Sequence, residues 1–172
     1  MIFPILTAPN PQLKRKAVAV THIDQSIKDL IQNMFETMYT FKGCGLAATQ
    51  IGVLKRILIM DLDTEDDFKP KSPKIFINPE ILWTSDEKII DYEACLSVPD
   101  IVEKIERAKV VRFKFLDEFE KSHEIETSGL LAQCIQHEID HLDGILFIDH
   151  LSRLKKDRVL KRLMKNQHTP HL

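Results

Sequence analysis

The chain has 172 residues, 44% of them hydrophobic and 29% charged, which is core material for one globular domain spanning 1–172 and excludes disordered, fibrous and collagen-like classes. Lys and Arg number 24 against 26 Asp and Glu, so the formal charge of −2 lacks the basic excess expected of a DNA binder. No apolar run reaches the ~20 residues of a membrane span, and the opening MIFPILTAPN has no basic-then-apolar leader pattern, so a cytoplasmic protein without membrane contact is expected.

In chain order, the first predicted element is a helix after Asp24. Ile27, Leu30, Ile31, Met34, Phe35 and Met38 recur at helical spacing, and Asp24 or Ser26 is available as a cap. KRILIMD (55–61) reads as a buried strand, and the polar stretch 63–74, with Pro70 and Pro73, as a surface loop. KIFINPEIL (74–82) is strand-like. Val111, Phe113 and Phe115 alternate with Arg112 and Lys114 as in a half-buried strand. Helical periodicity resumes after Ser128 and stops at Asp143–Gly144, where glycine can adopt a left-handed cap. A last helix is predicted over about 152–166. One helix, several strands and then two helices, with no composition break, predict a single α+β domain.

The penultimate helix carries His137-Glu138-Ile139-Asp140-His141. Histidines at i and i+4 share one helix face and can grip one cation. At 100° per residue, Leu130, Cys134, His137 and His141 occupy one sector, and Glu138 lies between it and a core stripe of Leu131, Ile135 and Leu142. Gln133, Gln136 and Asp140 fall on the opposite side, which is expected to be wet. With 7 His in 172 residues, chance placement produces this pattern in about 2% of such chains, so a metal site is favoured over two structural histidines. Glu138, beside the ligands and partly desolvated, is then a general base. A catalytic site normally takes a third protein ligand. Downstream, position 147 is Phe rather than a metzincin ligand, and no glutamate follows Glu138. The third ligand is expected upstream, or less readily from Asp149 or His150.

Two upstream stretches qualify. GCGLAATQIG (43–52) is rich in small residues that allow close backbone approach, although for the stretch taken alone a tight helix-to-strand connection is the favoured reading. EACLSVP (93–99) contains Cys95; the three cysteines are odd in number and widely spaced, so they fit a reducing compartment. The order GxGLAAxQ, E-x-CLS and QHExDH, followed by LDGILFIDHLS, resembles a peptide deformylase from the first helix to about Leu151.

That resemblance implies antiparallel sheets around a central metal-ligand helix, with a C-terminal helix. It implies Cys95 as third ligand beside His137 and His141, and Glu138 as the catalytic acid/base. One divalent ion per chain is implied, Fe(II) in cells, with Zn, Ni or Co able to replace it. The reaction implied is hydrolysis of the formyl group from the N-terminal formylmethionine of nascent polypeptides, releasing formate. Gln50 and the Leu96 N–H are implied as oxyanion donors, and Gly43, Cys44 and Gly45 as the edge along which substrate lies. Cys44, Leu130 and Cys134 are implied around the methionine pocket. A monomer is implied. Arg107 stands where the family often has an arginine, with no chemical task assigned. Thr49, where proline is frequent, is expected to be indifferent. One departure concerns the residue before the cysteine, usually glycine in the family and here Ala94. An extended Ala94 changes little, whereas a required positive φ would leave a weakened or inactive deformylase-like binding protein.

The tail 151–172 holds seven basic residues (Arg153, Lys155, Lys156, Arg158, Lys161, Arg162, Lys165) and one acidic, Asp157. Leu151, Leu154, Leu160, Leu163 and Met164 are expected to form its apolar side. A solvated helix docked on the body explains it. Contact with ribosomal RNA near the tunnel exit, which the resemblance implies, explains it too.

Overall fold

The computed structural model describes residues 1–63 and 71–167; residues 64–70 of the expected 63–74 loop lie outside the described residues. The order is α1 (Gln25–Thr40), β1 (Gly45–Ala47), β2 (Ile57–Met60), β3 (Lys74–Thr84), β4 (Lys88–Cys95), β5 (Val98–Ala108), β6 (Val110–Leu116), β7 (Ser122–Ser128), α2 (Gly129–Leu142) and α3 (Arg153–Gln167). Short 3-10 turns cover Pro11–Lys14, Ala48–Ile51 and Phe147–His150. An antiparallel five-stranded sheet runs in the order β1-β2-β3-β6-β7, and β4 and β5 form a separate hairpin.

Strand β2 is buried along its whole length because both faces of the large sheet are covered. Ile57 and Ile59 pack with Ile27, Ile31, Met34 and Met38 of α1. Leu58 and Met60 join Phe76, Val111 and Phe113 against Ala132, Ile135, Ile139 and Leu142 of α2. Helix α2 therefore lies between the sheet and the β4–β5 hairpin. Asp24 caps α1, its side chain accepting from the Ile27 N–H at 3.1 Å. Helix α2 ends at Gly144, whose φ of 75° suits glycine, and an added Cβ there would strike the Lys14 backbone.

Two expectations about helix faces need correction. Gln133 and Gln136 are 7% and 8% exposed, not on a wet side. Gln136 exchanges hydrogen bonds with the Ala108 N–H and carbonyl (3.1 and 3.0 Å), and Gln133 donates to the Tyr92 carbonyl (3.2 Å). They fasten α2 to the hairpin, whose backbone needs partners away from water. On α3, Leu154 and Met164 are exposed, while Val159 and Leu163 insert beside Ile101, Ile105 and Phe147. The docked stripe is thus narrower than the leucine pattern suggests.

Candidate metal centre

Three side chains from two elements converge on one point. Cys95 ends β4, at the turn into β5, while His137 and His141 project from consecutive turns of α2. One donor atom from each lies within 4.8 Å of the other two, the only such group of metal-ligating side chains among the described residues. The Cys95 sulfur is 3.2 Å from His141 Nε2, a separation suited to two ligands of one tetrahedral cation. Asp149 and His150, the weaker alternatives, are engaged elsewhere: Asp149 pairs with Lys14 and Lys156, and His150 Nε2 sits 2.7 Å from Asp140.

The surroundings fit a cation on these donors. Burial, and after it the negative charge of Glu138, pushes the Cys95 thiol well above its ordinary value. Yet the sulfur faces a set of donors: the backbone N–H groups of Ser97 and Val98, the Ser97 hydroxyl, and Gln50 Nε2 at 3.6 Å. Such a cradle suits a thiolate, which a bound cation would stabilise. His141 is 1% exposed, and burial, reinforced by the charges of His137 and Arg107, holds its pKa well below the usual value, so the ring is neutral as a ligand must be.

His137 is oriented from behind. Its Nδ1–H donates to Glu93 Oε2 at 2.8 Å, which turns Nε2 toward the centre. Glu93 accepts two further bonds from Arg107 Nε and Nη2 (2.8 and 3.0 Å), and Arg107 Nη1 donates to Asp140 at 2.6 Å. Burial would raise the Glu93 pKa, but the bonds from His137 and Arg107 outweigh it and hold it down at about 2. Sequence reasoning missed this support and left Arg107 without a task. One signal was present: Glu93 and Cys95 stand at i and i+2 on a strand and so share a face.

Glu138 is 5% exposed, and its Oε2 has no hydrogen-bond partner among the described residues. Burial, followed by the charges of Cys44 and Glu93, raises its pKa well above the carboxylate range. A carboxyl so placed exchanges a proton readily with whatever reacts beside it. The small-residue segment explains itself here: a Cβ on Gly45 would sit 2.5 Å from Glu138 Oε1 and 3.1 Å from its carboxyl carbon. Gly45→Ala is therefore expected to displace the carboxyl and lower kcat by about a hundredfold, with little change in unfolding temperature; steady-state kinetics beside a thermal melt check it. Gly43 is constrained in the same way by the Leu96 side chain.

Gln50, 1% exposed, is locked by the Ala47 N–H on its carbonyl oxygen (2.8 Å) and donates to Ser97 Oγ (3.1 Å). The N-terminal segment braces both strips, Leu6 N–H bonding the Gln50 carbonyl and Ala8 N–H the Ser97 carbonyl, each at 2.8 Å. Thr49 is not indifferent in this chain: buried, it donates to the His141 carbonyl at 3.0 Å and ties the turn to the ligand helix. Ala94 is an exposed strand residue and is absent from the positive-φ non-glycine positions, which are Lys42, Asn78, Asp100 and Glu120 among the described residues.

A cleft of about 910 Å³ opens over the centre. Gly43, Cys44, Gly45 and Gln50 line one side, Ala94, Cys95 and Leu96 another, and Leu130, Cys134, His137 and Glu138 the helix side. Leu130 is 56% exposed, because it stands on the first turn of α2 where the cleft meets solvent.

Fold and site together define a metal-dependent hydrolase whose cation site lies under a largely apolar cleft. The family model of polypeptide deformylases matches residues 2–157, and the chain belongs to that family. It is similar to the peptide deformylase of Rhizorhabdus wittichii, 49% identical over 164 residues that cover 94% of this chain and 93% of that protein. The Zymomonas mobilis peptide deformylase is 46% identical over 168 residues, covering 96% and 95%. Among solved structures, the peptide deformylase of Ehrlichia chaffeensis in complex with actinonin matches with a TM-score of 0.90 at 39% identity, over 98% of this chain and 99% of that one. The activity is accordingly the metal-dependent removal of the formyl group from N-terminal formylmethionine, releasing formate. The inactive-binder alternative is not favoured, since Ala94 requires no unusual backbone.

Proposed function

We propose that Cys95, His137 and His141 hold one divalent ion, Fe(II) in the cell, with Zn, Ni or Co able to substitute, and that Glu138 is the proton carrier of deformylation. The convergence of one sulfur and two ring nitrogens within 4.8 Å, beside a buried carboxyl without a partner among the described residues, is the observation that supports it. When bound, the ion supplies Lewis-acid polarisation of the formyl carbonyl and acidifies water. Glu138 accepts a proton at Oε2 from the attacking water and returns it to the departing amine. The second Gln50 N–H, facing the sulfur at 3.6 Å, and the Leu96 N–H are the donors for the oxyanion. Gly43, Cys44 and Gly45 offer a backbone edge to the peptide. Cys44, Leu130 and Cys134 surround the methionine side chain, whose unbranched thioether suits an adaptable apolar wall.

Chelator-stripped protein is expected to lose deformylation of a formyl-Met-Ala-Ser peptide and to regain it with Fe(II) under anaerobic conditions or with Ni(II). Failure of both metals to restore turnover would overturn the assignment. A cytoplasmic monomer working on nascent chains is the setting proposed; no helix of the described residues is long and apolar enough to cross a membrane.

The basic face of α3 is proposed to contact ribosomal RNA. Deleting the helix is a poor test, because Val159 and Leu163 belong to the core. Arg158, Lys161 and Arg162 are exposed, and their triple replacement by Glu is expected to weaken ribosome co-sedimentation at least tenfold at low salt while peptide turnover persists. Unchanged co-sedimentation would remove the contact.

A further inference from the structure

The mouth of the cleft carries a cation that neither catalysis nor packing uses. Of the Lys, Asp and Glu residues that line the cleft, Glu93 and Glu138 are buried, and Lys42 and Asp100 are exposed on different walls. The Lys42 ammonium has no ion-pair or hydrogen-bond partner among the described residues. Its backbone is an unfavourable one for lysine. Helix α1 closes on Lys42 at φ 56°, with the Lys42 N–H bonded to the Tyr39 carbonyl (3.1 Å) and the Gly43 N–H to the Met38 carbonyl (2.9 Å). Glycine is the favoured residue at such a helix end, because a Cβ crowds the left-handed backbone. The chain thus keeps a long charged side chain where the helix end by itself favours none, and strained positions of this kind cluster where ligands are held.

The free edge of β1 decides where that side chain meets a peptide. β1 is the outermost strand of the large sheet, and the Cys44 carbonyl points toward β2, accepting from the Asp61 N–H at 2.9 Å. The peptide groups of Gly45 therefore face the open edge. The reacting end of a substrate belongs beside Glu138, whose Oε1 lies 2.5 Å from where a Gly45 Cβ would stand. Beyond Gly45 the edge closes, since Ala47 and Ala48 are fully buried and the Ala47 N–H is taken by Gln50 Oε1 at 2.8 Å. An extended peptide on this edge runs antiparallel to β1, past Gly43 and out over Lys42. With its methionine at the level of Gly45 and Cys44, and a rise of about 3.3 Å per residue on both strands, its third residue reaches Lys42. We infer that Lys42 is a specificity residue of the deformylation site, selecting formylmethionyl peptides with an acidic third residue. The inference rests on the reading of this cleft as the formylmethionyl site. Asp100 stands away from this edge, on the hairpin wall, and takes no part in the selection.

The test compares C-terminally amidated formyl-Met-Ala-Glu-Ser, formyl-Met-Ala-Gln-Ser and formyl-Met-Ala-Lys-Ser on the Ni-loaded enzyme. Glutamate and glutamine share a shape, so their ratio isolates charge. At low salt kcat/KM for the Glu peptide is expected to exceed that for the Gln peptide about fourfold, through KM rather than kcat, because the third residue lies away from the formyl carbon. In about 1 M salt, where charges are screened beyond ~3 Å, the ratio falls to about one. Lys42→Gly is expected to lose the preference while its unfolding temperature holds or rises, Lys42→Arg to keep it, and Lys42→Glu to favour the Lys peptide instead. Equal kcat/KM for the Glu and Gln peptides, a preference that survives in Lys42→Gly, or one that disappears in Asp100→Asn overturns the inference and leaves the deformylase reading standing. If the Ni enzyme hydrolyses none of the three peptides, that reading fails and the inference falls with it.

Discussion

Glu138→Gln is expected to lower kcat by about a thousandfold while metal content stays at one ion per chain. The amide has the shape of the carboxyl but cannot accept a proton, and the three donors around the cation are left intact. Glu138 Oε2 makes no hydrogen bond among the described residues, so the exchange breaks none at that atom. Burial raises the Glu138 pKa well above the carboxylate range, which disfavours the charged form there, and the folded state therefore tolerates an uncharged amide. Metal analysis alongside single-turnover kinetics checks the prediction. A variant that loses its metal together with its activity would show that Glu138 supports the site rather than moving protons.

The second large effect belongs to Glu93→Gln. An amide cannot balance Arg107, which is 6% exposed and would keep only Asp140 as a close counter-charge among the described residues. Breaking one side of a buried ion pair costs about 3–5 kcal/mol. Losing the carboxylate behind His137 Nδ1 is expected to weaken metal binding about 10- to 100-fold. The two effects separate by pH. Glu93 has a folded pKa of about 2 against an ordinary 4.5, so its contribution is fully present above 4.5 and is lost as pH falls toward 2. Urea midpoints of the metal-free parent should fall through that window, and those of Glu93→Gln should fall less. Equal acid sensitivity in both proteins would show that other carboxylates govern acid unfolding. Competition with a fluorescent chelator measures the metal term at neutral pH.

Much of this was legible in one dimension. Positions 137 and 141 put two candidate ligands on one helix face because α-helix geometry leaves no other arrangement for i and i+4. Asp24 and Gly144 marked helix ends through local chemistry, a side-chain acceptor and a left-handed backbone, and local chemistry is what a sequence states directly. The third ligand, Cys95, was assigned by resemblance, since nothing in residues 93–99 alone distinguishes a ligand from a buried thiol. What failed depended on coverage. Gln133 and Gln136 look like a solvent face until the β4–β5 hairpin is laid over them, and Leu154 and Met164 look like part of a docked stripe until Val159 and Leu163 are seen to take the inner side of α3.

The amino-acid order alone therefore determined the α+β class, the two imidazoles on one helix face and the acid beside them, because each follows from helix period or from the order of the elements. Only the tertiary structure decided that Glu93 and Arg107 orient His137, that Thr49 ties down the end of α2, and that Gly45 comes against the Glu138 carboxyl. The hydrogen bonds among them join residues between 14 and 92 positions apart. No local propensity encodes them; they arise when burial of the two sheet faces forces the hairpin, the small-residue segment and α2 against one another.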